Sequence, residues 1–163
     1  MAVLDQPKKK GPVMTDQEII NQAIAILESR LQTPEHFVTC PSDTRAYLKL
    51  HLAELEHESF QVMLLNSKHG VLGLEELSKG TIDQAPVYPR EVVKLALKFN
   101  AAAVIFAHNH PSGNEEPSMA DEHLTQSLVE ALKLINVRVL DHFVVGNGVY
   151  SFAENGLLLS PVV

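Results

Sequence analysis

The chain has 163 residues, of which 45% are apolar and 20% are charged. This balance is typical of one globular domain and excludes a chain that is disordered throughout. The formal net charge is −7, from 20 acidic and 13 basic side chains. Such an acidic chain is a poor candidate for following a nucleic-acid backbone by bulk electrostatics, although a local basic patch would still allow nucleic-acid binding.

The cellular compartment is indicated by three sequence features. The longest apolar run, 101–107, is far shorter than the roughly 20 residues that a membrane helix needs, so no membrane contact is expected. The first residues, MAVLDQPKKKGPV, place lysines before Gly and Pro rather than before an apolar segment, unlike a secretory signal. Cys40 is the single cysteine, which excludes an intramolecular disulfide. We therefore expect a cytoplasmic protein.

Two helices are predicted in the first third of the chain. Thr15 and Glu18 have the spacing of a capping box, in which each side chain binds the free backbone N–H of the other residue. Apolar residues then recur at helical intervals as far as Leu31. Ser42 or Asp43 is predicted to cap the second helix.

The pattern then changes to that of strands. Residues 60–65 have the aliphatic and aromatic content of a buried strand, and residues 71–74 are predicted to be its hairpin partner. The intervening sequence NSKHG, residues 66–70, is predicted to form the turn between them. A further extended piece is expected at 80–82.

A helix over residues 89–99 is predicted next, since a proline at its start fits the first helical turn. Its apolar residues Val93, Ala96 and Leu97 are expected to face inward. The wholly apolar segment 101–107 follows, and we interpret it as a central strand covered on both faces.

The last third of the chain repeats this alternation. A helix is predicted to begin near Ser118, and a strand over 137–145 ends in the turn sequence Gly-Asn-Gly at 146–148. Residues 149–152 would form the last strand. The order of helices and strands indicates an α/β fold with a mixed sheet and helices on both sides.

The segment after the central strand carries the strongest chemical signal. His108 and His110 are two residues apart, so both imidazoles project from one face if the strand continues through them. Asp121 follows in the first turn of the next helix. Three protein ligands and an open fourth position are typical of a catalytic zinc site, so these residues are candidate metal ligands.

A purely structural interpretation of the same residues stays open. A histidine at a strand end is often just a hydrogen-bonded polar residue, and Ser118 with Asp121 also has capping-box spacing. Spacing alone does not decide between the two interpretations.

The wider pattern resembles a known motif. His-x-His-Pro at 108–111, then Ser118 and Asp121, is similar to the JAMM motif of the JAB/MPN family of zinc-dependent peptidases and deubiquitinases. The blocks LSKGTID, YPREVVK, HNHPSG and LDHFVVG, in this order, resemble the RadC branch of that family. The resemblance extends over residues 37–159.

The resemblance implies a fold and a division of the chain. The fold would be a three-layer α/β/α sandwich with a mixed central sheet, as in MPN/JAB and cytidine deaminase-like proteins. The chain would divide into a disordered arm, an N-terminal helix, a RadC-like JAB/MPN domain and a tail, at residues 1–14, 15–36, 37–159 and 160–163.

The resemblance also implies roles for individual residues. Zn²⁺ would be held by His108, His110 and Asp121, and Ser118 would stabilise the oxyanion of a tetrahedral intermediate. Glu58, just before the first strand, would accept a proton from the zinc-activated water. Glu91 is the competing carboxylate, although a position in a first helical turn already explains it.

Other residues receive a structural interpretation. His142 is expected to be structural or to contact a metal ligand rather than to be a ligand itself. Glu115 and Glu116 are expected in the turn, solvated or in contact with substrate. Asn109 stands between the two histidines, where the family's peptidases usually carry Ser or Thr.

Functions of different classes are compatible with these observations. The first is a zinc metallohydrolase that cleaves a peptide or isopeptide bond in a peptide or protein substrate. The second is a non-catalytic interaction module that retains the metal site. A DNA repair-associated accessory role is suggested only by RadC relatives. The oligomeric state and the substrate cannot be read from the sequence.

Overall fold

The computed structural model describes residues 14–32, 41–80 and 87–158. The predicted tail and all of the predicted arm except Met14 lie outside these residues. The division of the chain into arm, helix, main domain and tail therefore stays a prediction.

Helices and strands alternate along the described residues. The elements are α1 Asp16–Gln32, α2 Pro41–Leu52, β1 Ser59–Leu65, β2 Val71–Lys79, α3 Pro89–Lys98, β3 Ala103–Asn109, α4 Met119–Lys133, β4 Arg138–Val145 and β5 Val149–Ser151. None of the helices in the described ranges combines the length and the apolar character needed to cross a membrane.

The strands form one mixed sheet in the order β2-β1-β3-β4-β5. β3 and β4 are parallel, whereas the other neighbouring strands are antiparallel. A parallel pair needs a crossover connection, which α4 supplies between β3 and β4. The predicted mixed sheet is confirmed.

Helices cover both faces of this sheet. Along β3, Val104 and Phe106 pack in the core with Val92 of α3 and Leu128 of α4. The alternate residues of β3 pack in the other core, with α2 and with apolar residues of α1. Because side chains alternate between faces along a strand, β3 is buried on both sides and the protein has three layers, as predicted.

Most predicted elements are present, with shifted boundaries. The capping box at α1 forms, since Thr15 N–H donates to Oε2 of Glu18 (2.7 Å) and Glu18 N–H donates to Oγ1 of Thr15 (3.3 Å). The second helix begins at Pro41, before either predicted capping residue. Of the extended piece expected at 80–82, only Gly80 lies within the described residues.

The inward face predicted for α3 is partly wrong. Leu97 is 62% exposed, whereas Val92 and Ala96 are buried. Val92 and Ala96 are four residues apart and therefore share one face of the helix. That face packs against the sheet, and Leu97 lies beyond its edge.

Candidate metal centre

The two histidines lie at the end of the central strand. His108 continues the alternation of Val104 and Phe106, so its ring faces the side of the sheet covered by α3 and α4. The His108 side chain is completely buried, whereas that of His110 is 18% exposed. Just beyond β3, His110 N–H donates to the carbonyl of Val145 (2.8 Å), which ties this position to β4.

Helix α4 brings an aspartate to the histidines. Ser118 caps the helix, and it forms a reciprocal capping box with Asp121. The Ser118 hydroxyl donates to Oδ2 of Asp121 (2.7 Å). The Asp121 carboxylate lies 3.4 Å from Nε2 of His108 and 3.6 Å from Nε2 of His110. The same Asp121 side chain therefore completes the helix cap and lies at the candidate metal site, so the two interpretations of this residue are compatible.

Glu58 reaches the same place through the register of two strands. β1 and β3 are antiparallel, and Phe60 pairs with His108. Extending that register by two residues sets Glu58 opposite His110. Ligand atoms of Glu58, His108, His110 and Asp121 all lie within 4.8 Å of one another, and we call these residues the four-residue cluster. The cluster is able to hold a metal ion.

Asn109 fastens the segment that carries Glu58. Its side-chain oxygen accepts a hydrogen bond from Ser59 N–H (2.8 Å). Its side-chain nitrogen donates to the carbonyls of His57 (2.9 Å) and Leu55 (3.3 Å). Asn109 is only 2% exposed, so these bonds are shielded from water. Sequence reasoning noted Asn109 only as a departure from the peptidase pattern and missed this role.

His142 and Thr125 lie behind the buried histidine. Nε2 of His142 lies 2.8 Å from Nδ1 of His108, and Nδ1 of His142 lies 2.6 Å from Oγ1 of Thr125. The prediction that His142 contacts a candidate ligand without belonging to the cluster agrees with this geometry. Thr125 was not singled out, and only its position one helical turn after Asp121 indicated it.

The outer histidine is oriented by the backbone. Nδ1 of His110 lies 2.8 Å from the carbonyl oxygen of Asn114. A carbonyl can only accept a hydrogen bond, so Nδ1 of His110 carries the hydrogen in this contact. In the neutral imidazole, Nε2 is then unprotonated. Nε2 lies 3.0 Å from Nε2 of His108, on the side of the cluster.

The charges of the cluster favour a cation. Burial alone would raise the pKa of the Asp121 carboxyl, but the imidazoles of His108 and His110 and the Ser118 hydroxyl beside it outweigh burial and hold that pKa well below its usual range. The Asp121 carboxylate raises the pKa of His110 against the effect of burial, because it stabilises the protonated form of the imidazole. Asp121 is therefore ionised near neutral pH, and Glu58 adds a second acidic group beside it.

The other carboxylates considered from the sequence lie elsewhere. Glu91 is at the start of α3 and pairs with Lys94 (2.7 Å) and Arg90 (3.5 Å). These contacts hold its pKa below the ordinary value. Glu115 contacts Gly148 N–H (3.4 Å), and Glu116 is exposed. None of the three belongs to a metal-binding group found among the described residues.

The fold and the cluster together define a class of protein. It is a three-layer α/β sandwich with two histidines and two acidic residues gathered at the end of the central strand. Residues 38–157 match the sequence model of the RadC-like JAB domain. The chain therefore belongs to the RadC-like JAB-domain family.

Its relatives bear the name UPF0758. A UPF0758 protein of Methylibium petroleiphilum is 54% identical over 93% of this chain and 67% of its own length. A UPF0758 protein of Vibrio cholerae is 51% identical, over 88% of this chain and 90% of its own length. The UPF0758 protein YkfG of Escherichia coli is 49% identical, over 88% and 91%. These names state no activity.

Proposed function

We propose that this protein is a zinc-dependent hydrolase of JAMM type that cleaves a peptide or isopeptide bond. The observation that carries the proposal is the convergence of two imidazole nitrogens and two acidic side chains at one partly open point. In the proposal His108, His110 and Asp121 hold the metal, and Glu58 is the general base. Ser118 is the candidate donor to the oxyanion.

The spacing of the ligand atoms supports zinc. Ligand atoms about 2.0–2.1 Å from a tetrahedral Zn²⁺ are separated from one another by about 3.4 Å. Nε2 of His108 lies 3.0 Å from Nε2 of His110 and 3.4 Å from Oδ1 of Asp121, and Nε2 of His110 lies 3.6 Å from Oδ2 of Asp121. Imidazole and carboxylate are also ligand types that zinc accepts.

Each residue has a distinct part in the proposed reaction. Bound zinc supplies water whose pKa is lowered to about 7. Glu58 takes the proton of the attacking water and transfers it to the leaving amine, as a general base and then a general acid. The Glu58 side chain is partly exposed, and its carboxylate lies within 4.8 Å of the ligand atoms of His108, His110 and Asp121, close enough to reach a water held there.

The part proposed for Ser118 requires a change of partner. The Ser118 hydroxyl donates its hydrogen bond to Oδ2 of Asp121. To donate to an oxyanion, the hydroxyl must turn away from this carboxylate. The capping role is therefore present in the resting protein, and the oxyanion role is proposed for the transition state alone.

The charge of the two segments that supply the cluster favours a protein or peptide substrate over nucleic acid. No Lys or Arg occurs between Lys98 and Lys133 or between Lys49 and Lys68, the two segments that supply the cluster. Glu115, Glu116 and Glu122 lie in the first of these segments. A phosphate backbone would meet these acidic groups, and neither segment contributes a basic side chain to neutralise it.

The single cysteine remains our reason to expect a cytoplasmic protein.

Metal content and hydrolysis test the proposal together. Purified wild type is expected to contain one zinc per chain by elemental analysis, and a His108→Ala/His110→Ala variant is expected to contain none. Glu58→Gln is expected to retain zinc but to lose about 10²–10⁴-fold in the hydrolysis of peptide and isopeptide substrates, because an amide cannot accept the proton.

Two results would contradict the proposal at different points. Equal zinc in wild type and the double variant would exclude the metal site. A zinc-loaded wild type that cleaves no member of a broad substrate panel would instead favour the non-catalytic interaction module.

A further inference from the structure

A line of buried polar groups leads from helix α4 to the cluster. Thr125, His142 and His108 follow one another along it, with exposures of 2%, 0% and 0%. The contacts are 2.6 Å between Thr125 Oγ1 and His142 Nδ1, and 2.8 Å between His142 Nε2 and His108 Nδ1. Buried polar atoms need partners, so the hydrogens along this line can be placed by counting donors and acceptors.

The Thr125 hydroxyl determines where the first hydrogen lies. Thr125 Oγ1 also lies 2.6 Å from the backbone carbonyl oxygen of Asp121. Two oxygens this close share a hydrogen, and only the hydroxyl can supply one. The Thr125 hydroxyl therefore donates its hydrogen to the carbonyl oxygen of Asp121, and Oγ1 can only accept a hydrogen bond from His142. It follows that Nδ1 of His142 carries a hydrogen.

The same count passes through the two imidazoles. A neutral imidazole has one N–H, so Nε2 of His142 is unprotonated and accepts a hydrogen bond. Its partner, Nδ1 of His108, must then carry the hydrogen. The second nitrogen of His108, Nε2, is left unprotonated, and it faces Nε2 of His110 and the carboxylate of Asp121.

Aromatic side chains keep this line intact. The ring of His142 is stacked on Phe152 with ring centroids 4.6 Å apart. Phe60 meets the same ring edge-on at 5.2 Å, and it stacks on His108 at 5.8 Å. The rings fix the orientation of both imidazoles and exclude water that would offer other partners.

We propose that Thr125 and His142 are positioning residues that fix the tautomer of His108, so that its Nε2 lone pair is directed at the metal position. This inference rests on the proposed metal site, but it concerns residues outside the four-residue cluster. Without the hydroxyl acceptor, His142 is free to carry its hydrogen on Nε2. His108 then carries its hydrogen on the nitrogen that faces the cluster, where it opposes metal binding.

A matched pair of variants tests the role of the hydroxyl. Thr125→Val replaces the hydroxyl with a methyl group, so that position 125 can no longer accept a hydrogen bond from His142, and Thr125→Ser keeps the hydroxyl. Zinc dissociation constants are measured by competition with a chelator. Thr125→Val is expected to bind zinc about 10–100-fold more weakly than wild type, as is typical when a residue that orients a ligand is lost. Thr125→Ser is expected to restore the affinity.

Urea unfolding of the metal-free variants identifies any loss that is due to unfolded protein. Zinc affinities that are equal in Thr125→Val, Thr125→Ser and wild type would overturn the inference. A zinc affinity that is equally weakened in Thr125→Val and Thr125→Ser would overturn it as well, because the loss would then not depend on the hydroxyl.

A measurement without variants keeps the inference testable if Thr125→Val does not fold. Nitrogen-15 NMR of metal-free wild type, with neutral imidazoles, is expected to show the hydrogen on Nδ1 in both His108 and His142. A hydrogen on Nε2 of His108 would overturn the inference. Wild type that binds no zinc but shows the expected tautomers would contradict the proposed function and leave the tautomer assignment standing.

Discussion

His108 and His110 lie on two sides of the same cluster, and the protein holds them by different means. On the inner side, His108 is completely buried and contacts the side chain of His142. On the outer side, His110 is 18% exposed and is oriented by the carbonyl of Asn114, a residue of an exposed loop. The inner side belongs to the core, whereas the outer side is open to solvent.

Because of this difference, the inner side contributes mainly to the stability of the fold, whereas the outer side is accessible to a substrate. A buried polar group that loses its partner costs free energy on folding, so the inner side is set together with the core. The outer side carries little of the core, and a substrate can reach it. Variants on the two sides should therefore differ in their effect on the folded protein even where both lose metal.

The largest expected contrast is between alanine variants of the two histidines. In metal-free protein, His108→Ala leaves a cavity beside Phe60 and should lower the free energy of unfolding by about 3 kcal/mol, as other large-to-small core changes do. His110→Ala loses one hydrogen bond and should cost about 1 kcal/mol. Urea denaturation measures both values. Equal losses would contradict the distinction between the two sides.

Asn109 is buried but bonds to the segment that carries Glu58. Its loss should therefore lower the stability of the fold and also loosen that segment. Asn109→Ala leaves Ser59 N–H and the carbonyl of His57 without their buried partner, at an expected cost of about 2 kcal/mol. The Ser59 amide should exchange its hydrogen faster, which mass spectrometry or NMR detects. Asn109→Asp keeps the acceptor for Ser59 N–H but sets a carboxylate oxygen against the carbonyls of His57 and Leu55, so it should lose stability while the Ser59 amide stays protected. Unchanged exchange at Ser59 in the alanine variant would mean that Asn109 does not hold the Glu58 segment.

Ser118 tests whether an outer residue has a function beyond structure. Ser118→Ala removes the cap of α4 and should lower the free energy of unfolding by about 1 kcal/mol, and Ser118→Thr should retain most of it. An oxyanion role predicts a further loss of about 10²–10³-fold in hydrolysis by the alanine variant at a temperature where it is fully folded. A loss of stability with an unchanged rate would leave Ser118 as a cap alone.

A partly buried polar pair on the opposite face of the sheet does not contact the cluster and serves as a reference. The Tyr47 hydroxyl donates to Oε1 of Glu28 (3.1 Å). Burial, and then the negative charge of Glu28, raises the pKa of Tyr47 well above its usual value. The unfolded chain releases this proton near pH 10, before the folded chain does, so stability should fall as pH rises above about 10.

Urea unfolding between pH 8 and pH 11 measures this decline, and Tyr47→Phe is the matched control because it lacks the ionisable group. The decline should be smaller in Tyr47→Phe than in wild type. An identical decline in both proteins would show that Tyr47 does not keep its proton in the folded state.

Local patterns were sufficient for most of the secondary structure. The capping boxes at Thr15 and Ser118 and the apolar strand before His108 depend on residues a few positions apart, and all three are present. Leu97 shows the limit of such patterns. Two adjacent apolar pairs, Val92 with Val93 and Ala96 with Leu97, fit more than one inward face, and only packing against the sheet selected Val92 and Ala96.

The sequence by itself determined the nearest members of the candidate site. His108, His110 and Asp121 lie within 14 residues, and strand alternation followed by a helix cap is enough to bring them together. The contacts of Glu58, Asn109 and His142 were decided only by the tertiary structure. They depend on the antiparallel register of β1 with β3 and the parallel register of β3 with β4, which set residues 34 to 54 positions apart side by side. Strand register arises from the packing of the whole sheet, so no local pattern encodes it.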